Sequence, residues 1–162
     1  MRDRRSAAEI AADRQASPAP GIKRELRWAA ILSIGALLGH AVDAPDHLTE
    51  WWGFATFFVV VGAFQFFYGF GLLLQPWKYD DTGGLRAGAE QRGRSYYVLG
   101  LVLAIAVVVA YAITRTSGLP FLGPDAKAER LTLLSLIPVA LDLPLIYCLA
   151  AAIHRTRQVG RP

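Results

Sequence analysis

The residue in the most unusual setting is Asp142, a carboxylate near the centre of the apolar segment 131–153. Prolines lie on both sides of it, at Pro138 and Pro144. A charged side chain at mid-bilayer costs at least ~2.5–3.5 kcal/mol on insertion scales, so Asp142 is expected to face protein or water. Three roles are open to it: handling of a proton or cation, a neutral hydrogen bond between helices, or contact with a positive group of a partner subunit.

Several other polar residues of the apolar segments share the helical spacing of Asp142. At ~100° per residue, side chains three, four or seven residues apart share a helix face. Ser135 and Asp142 are seven residues apart, as are Ser33 and His40, and Tyr68 follows Gln65 by three. Three segments thus each present a polar face, which predicts a shared interior away from lipid. We call this predicted interior the polar seam and assign to it Asp142, Gln65, Ser33, Tyr68 and Ser135.

A second group of residues has the chemistry of a metal site. His40, His47 and Glu50 supply two imidazoles and a carboxylate, and Asp43 and Asp46 lie among them. Such ligands suit a divalent metal such as zinc, copper or iron. The spacing H-x6-H-x2-E is not a recognised signature, and a structural interpretation stays open: the aspartates cap the second helix and the histidines form hydrogen bonds. A haem held by both histidines is disfavoured because they are too close in sequence to flank it.

Arg115 lies at the end of the third apolar segment. One interpretation pairs it with a carboxylate on the same side of the membrane, such as Asp43 or Glu50. The other has its guanidinium reach lipid phosphates while its methylenes stay in the apolar layer.

Four apolar segments must position these residues, and they cover 28–44, 51–75, 96–113 and 131–153. A bilayer core of ~30 Å needs ~20 apolar residues of helix, within a usual range of ~17–25. Residues 98–112 contain no charge and therefore leave no face for water. The sequence predicts an all-α fold, a bundle of four transmembrane helices, rather than a water-soluble bundle.

Positive charge is distributed unevenly among the connecting segments. Seven Lys/Arg precede residue 28, four lie within 76–95 and three follow residue 153, whereas the remaining connections hold three together. The positive-inside rule therefore places the N and C termini in the cytoplasm. The net charge of +4 reflects this distribution, and we predict no nucleic-acid partner. The expected organisation is a disordered basic tail at 1–22, a membrane domain at 23–155 and a cytoplasmic tail at 156–162.

Two stretches resemble a family of small bacterial four-helix membrane proteins whose activity is uncharacterised. The first is 39–54, with the H-x6-H-x2-E-W-W segment, followed by Gln65; the second is 114–124, with the T-R-T-x-G-x-P segment. The resemblance covers about 28–153, and many members of that family carry Glu where this chain has Asp46 and Asp142. It implies a four-helix topology in the bacterial cytoplasmic (inner) membrane and no particular activity.

Two classes of function are compatible with these residues. The first is a non-enzymatic integral membrane protein, a subunit or scaffold of a membrane complex or homo-oligomer, with the bilayer and another membrane protein or second copy as partners. The alternative is a metal-binding or proton- or cation-handling protein that uses the His/Glu group and Asp142. Catalysis has little support, because the sequence offers no Ser/His/Asp arrangement, no phosphate loop and no second carboxylate at the depth of Asp142.

Overall fold

The computed structural model describes residues 20–50, 52–79, 84, 86–117 and 133–159. Within them, the side chains of 20–23, 43, 46–50, 133–134 and 158–159 are not described. The chain forms four long helices in these ranges: α1 (Pro20–Glu50), α2 (Trp52–Leu74), α3 (Ala89–Thr116) and α4 (Leu133–Val159). Each is long and apolar enough to cross a membrane. The predicted all-α class with four such helices is confirmed.

Helices α1 and α3 extend beyond their predicted apolar segments at both ends and α4 extends beyond residue 153, whereas α2 lies within the predicted 51–75. Helix α1 continues through the exposed Pro45 to Glu50, so the residues expected to connect the first two helices form its last turns. The prediction that Asp43 and Asp46 cap the start of α2 is therefore wrong. Both residues lie inside α1, and α2 begins only at Trp52. Helix α3 begins at Ala89, directly after Gly88, whose φ of 72° ends the preceding turn in a conformation that glycine adopts readily.

Helix α1 packs closely against both α2 and α4. A Cβ at Gly69 of α2 would lie 2.7 Å from the Ile34 side chain of α1. A Cβ at Gly39 of α1 would lie 3.0 Å from the Pro138 ring of α4. Small residues thus bring these helix backbones together, as is typical of membrane bundles.

Helix α4 packs in turn against α3, so the spatial order is α2, α1, α4, α3. The polar residues lie inside this bundle, with Asp142 and Ser33 fully buried. Large apolar side chains lie outside, with Phe67 71% and Tyr147 73% exposed. A water-soluble bundle has the opposite distribution, with its apolar side chains inside.

Candidate functional site

Asp142 lies on the face of α4 that points into the bundle. Its neighbours at helical spacing, Pro138, Leu145 and Leu149, are also buried, and the carboxyl itself is 0% exposed. The Gln65 side chain of α2 donates a hydrogen bond from Nε2 to Asp142 Oδ1 over 2.9 Å. The carboxyl is therefore held by a neutral amide, deep in the protein and away from the outer surface.

Gln65 also connects to the central helix through its backbone. The Ser33 hydroxyl of α1 donates to the carbonyl oxygen of Gln65 over 2.7 Å. Ser33 is fully buried and Gln65 is 4% exposed. These two hydrogen bonds join α1, α2 and α4 at one level, and we call the three residues the buried network. The structure thus brings together Ser33, Gln65 and Asp142 of the predicted polar seam.

Two acceptor atoms of the buried network have no hydrogen-bond partner among the described residues: Gln65 Oε1 and Asp142 Oδ2. No ion pair to Asp142 is formed by any Lys or Arg that the structure describes. An ionised carboxylate in this place would be a buried charge without a counter-charge, which is strongly unfavourable. A carboxylic acid, in contrast, carries no charge and has an O–H that can donate a hydrogen bond.

Tyr68 belongs to a different arrangement from the one that the polar seam predicted. Its hydroxyl donates to the carbonyl oxygen of Tyr96, and the Tyr96 hydroxyl donates to the carbonyl oxygen of Tyr68, each over 3.2 Å. The two rings stack at 4.7 Å with an interplanar angle of 12°. We call this reciprocal pair the tyrosine clasp, and it joins α2 to α3.

Two glycines make room for the tyrosine clasp. A Cβ at Gly100 would collide with the Tyr68 ring, and a Cβ at Gly71 would collide with the Tyr96 hydroxyl. Sequence reasoning missed this contact, although a signal was present: each tyrosine is followed by a glycine at i+3 or i+4, on the same helix face. Ser135, the remaining member of the polar seam, is buried two turns before Asp142 on α4.

Of the residues predicted to bind a metal, only the His40 side chain is described. It is 3% exposed, and its imidazole packs against the Phe58 ring with centroids 5.5 Å apart. Because α1 is continuous to residue 50, positions 40 and 47 belong to one helix and not to two helices across a turn. In the part of the chain with described side chains, no three His, Cys, Asp or Glu residues are grouped to hold a metal. The side chains of Asp43, Asp46, His47 and Glu50 lie outside that part, so a site built from them stays a prediction.

Arg115 has its guanidinium over the Tyr111 ring, 5.0 Å from the centroid. The two residues are four apart on α3, which places them on one face of the helix. The outer carboxylates proposed as ion-pair partners, Asp43 and Glu50, have side chains beyond the described set. The contact with Tyr111 is a cation–π interaction.

An ion pair at the opposite end of the bundle was not expected from the sequence. Arg155 near the end of α4 lies 3.0 Å from Glu25 near the start of α1. Glu25 is only 8% exposed, so this carboxylate is largely withdrawn from water. One sequence feature pointed to this ion pair: Glu25 is the one acidic residue within the basic stretch 23–27.

No family model matches the chain, and neither a curated protein sequence nor a solved structure matches it. The resemblance to small bacterial four-helix membrane proteins therefore stays a prediction.

Proposed function

We propose that this protein is a multi-pass integral membrane protein that acts without catalysis, as a subunit or scaffold of a membrane complex or homo-oligomer. The observation that carries the proposal is the burial and hydrogen bonding of the Asp142 side chain. This carboxyl is fully buried and hydrogen-bonded to the amide of Gln65, whose own backbone is bonded to Ser33. Such a residue fixes the relative position of three helices.

The chemistry of the buried network favours a neutral Asp142. One proton on Oδ2 would provide a donor for Gln65 Oε1, while Gln65 Nε2 already donates to Oδ1. The two side chains would then form a cyclic acid–amide pair with two parallel hydrogen bonds. Both acceptors that lack a partner in the described residues would be satisfied by that single proton, without a metal or a counter-ion.

The outer surface of α2 supports a role in association. Phe57, Phe64 and Phe67 lie on one side of the helix at spacings of seven and three, and they are 45%, 38% and 71% exposed. Aromatic side chains provide large contact areas with defined geometry. In a bilayer, helices associate through such packing, since lipid tails are as apolar as the side chains themselves.

The proposed topology follows from charge. The basic segments before α1, between α2 and α3 and at the end of α4 would all face the cytoplasm if the four helices cross the membrane. The connection between α1 and α2 and the connection between α3 and α4 would then face outward. The resemblance described above makes the bacterial inner membrane the proposed location.

The test is purification in mild detergent, followed by light scattering to determine the protein mass, cross-linking to identify partners, and elemental analysis for metals. We expect an oligomer or a defined complex that Phe67→Ala weakens. The matched control is Tyr147→Ala on α4, an equally exposed aromatic position that should leave association unchanged. A monomer without partners would refute the proposal. A stoichiometric metal that is lost in His40→Ala would favour the metal-handling alternative instead.

A further inference from the structure

Helices α2 and α3 enclose a lateral crevice of about 240 Å³. The tyrosine clasp closes one end, where Tyr68 lies against Gly100. Beyond the clasp the crevice lies between the two helices, of which α3 packs against α4 and α2 packs against α1. The crevice therefore follows from the spatial order of the helices and the bulk of the stacked rings.

The walls of the crevice are almost wholly apolar. Helix α2 contributes Val60 and Phe64, helix α3 contributes Leu103 and Ala104, and Leu145 of α4 forms part of the floor. Ser33 and Gln65 also line it. Their hydrogen-bonding groups, however, are directed to partners within the buried network, and Gln65 Oε1 is inaccessible. An occupant therefore meets hydrocarbon and no free polar group.

The shape of the crevice selects among apolar occupants. It extends from Val60 to Tyr68 along α2 and from Gly100 to Val107 along α3, which is ~10–12 Å at the rise of an α-helix. A volume of about 240 Å³ over that length gives a cross-section of ~20 Å². A helix with side chains has a diameter of ~10–12 Å, and its cross-sectional area is several times too large for the crevice. A single hydrocarbon chain has the required narrow, elongated form.

An open apolar void of this size is unfavourable when it is empty. Its lining atoms forgo dispersion contacts, and water does not replace them, since a dry apolar cavity of ~150 Å³ binds benzene in preference to water. The mouth lies beside exposed apolar side chains such as Val60, which is 61% exposed. The long axis of the crevice runs parallel to the helices, as do the acyl chains of a bilayer that those helices cross.

We propose that this crevice binds one acyl chain of a membrane lipid, and that the tyrosine clasp bounds the site at one end. The proposal rests on the membrane location proposed above. It adds a defined binding site on the protein surface, where Gly100 and Ala104 of α3 leave space opposite Phe64 and Tyr68 of α2.

The test uses a phosphatidylcholine that carries a photoreactive diazirine in one acyl chain, titrated into the detergent-purified protein. After illumination, the labelled residues are identified by mass spectrometry of peptides. We expect saturable labelling within 60–64 and 100–107, and competition by unlabelled phosphatidylcholine. Ala104→Leu fills the crevice and should lower this labelling about tenfold, the affinity lost when roughly two methylene groups are kept out.

Matched variants separate the crevice from the general lipid-facing surface. Val107→Phe narrows the crevice from a second position and should reproduce the effect of Ala104→Leu. Ala106→Leu and Val109→Phe make the same substitutions at exposed positions of α3 outside the crevice and should label like the wild type. Labelling that rises linearly with the probe and is equal in all five proteins would overturn the crevice proposal alone. Absence of label from every helix would overturn the membrane location as well.

Discussion

The protonation of Asp142 gives the most demanding prediction, because three substitutions at one position should have different outcomes. Asp142→Asn keeps a cyclic pair with Gln65: the introduced amide would accept from Gln65 Nε2 and donate to Gln65 Oε1. Asp142→Leu removes both hydrogen bonds and leaves the buried amide of Gln65 without this partner. Asp142→Glu keeps the acid but adds a methylene at a position that is fully buried.

The magnitudes follow from the hydrogen bonds. A buried polar group left without its partner costs about 1–3 kcal/mol. Hydrogen bonds between membrane helices average ~0.6 kcal/mol and reach ~1.7 kcal/mol. We therefore expect Asp142→Leu to lower the free energy of unfolding by about 1–2 kcal/mol. Asp142→Asn should change it by less than about 0.5 kcal/mol, since the number of hydrogen bonds is retained. Asp142→Glu should cost about 1–3 kcal/mol through overpacking.

Two assays check these values. The first is equilibrium unfolding in mixed micelles, monitored by circular dichroism. It is applied to the three Asp142 variants, to Gln65→Leu, and to the double variant that combines Gln65→Leu with Asp142→Leu. The double variant should be less destabilised than the sum of the single variants, because the two side chains contact each other. The second is the infrared difference spectrum between wild type and Asp142→Asn at neutral pH. It should contain the carbonyl band of a protonated carboxylic acid.

Either of two results would refute a stabilising acid–amide pair between Asp142 and Gln65. A carboxylate band assigned to Asp142 at neutral pH would exclude the acid–amide pair. Equal destabilisation by Asn and Leu would show that the hydrogen bonds of the buried network do not contribute to stability.

Three further predictions concern the tyrosine clasp, the ion pair and the metal. Tyr68→Phe should lower the free energy of unfolding in micelles by about 0.5–1.5 kcal/mol, because one hydrogen bond is lost. Gly100→Ala should lower it by about 1–3 kcal/mol, because the added methyl group collides with the Tyr68 ring. An unchanged stability of Gly100→Ala would contradict the close approach of the two helices. Glu25→Gln should weaken the attachment of α1 to α4 by up to about 1 kcal/mol, an effect that Arg155→Gln removes in a double-mutant cycle; additive losses would exclude the ion pair. Elemental analysis of the purified protein should find no stoichiometric zinc, copper or iron. His40→Ala should unfold at a lower temperature than the wild type, because a buried imidazole is lost. A metal that is present in the wild type and absent from His40→Ala would instead support a metal site.

Some features were accessible from the sequence because they depend on composition and on the period of the helix. Four apolar segments of membrane-spanning length predict four helices, since a chain without water must satisfy its backbone groups internally. Helical spacing also predicts which polar residues turn inward, and Ser33, Gln65 and Asp142 do meet in the structure. The ends of the helices were less accessible, because polar residues such as 89–95 continue a helix as readily as they form a connection.

The sequence by itself determined the class of the fold, the four membrane-length helices of the described residues and the buried position of Asp142. Hydrophobic patterning and the cost of exposing a carboxyl to lipid act on each segment separately. Only the tertiary structure decided the partners. Ser33 donates to the backbone of Gln65 and not to the carboxyl, and Tyr68 pairs with Tyr96 and not with the buried network. Which neighbour a polar atom finds depends on how closely and at what height the helices pack. That is decided by contacts such as Gly39 against Pro138, which join residues far apart in the chain.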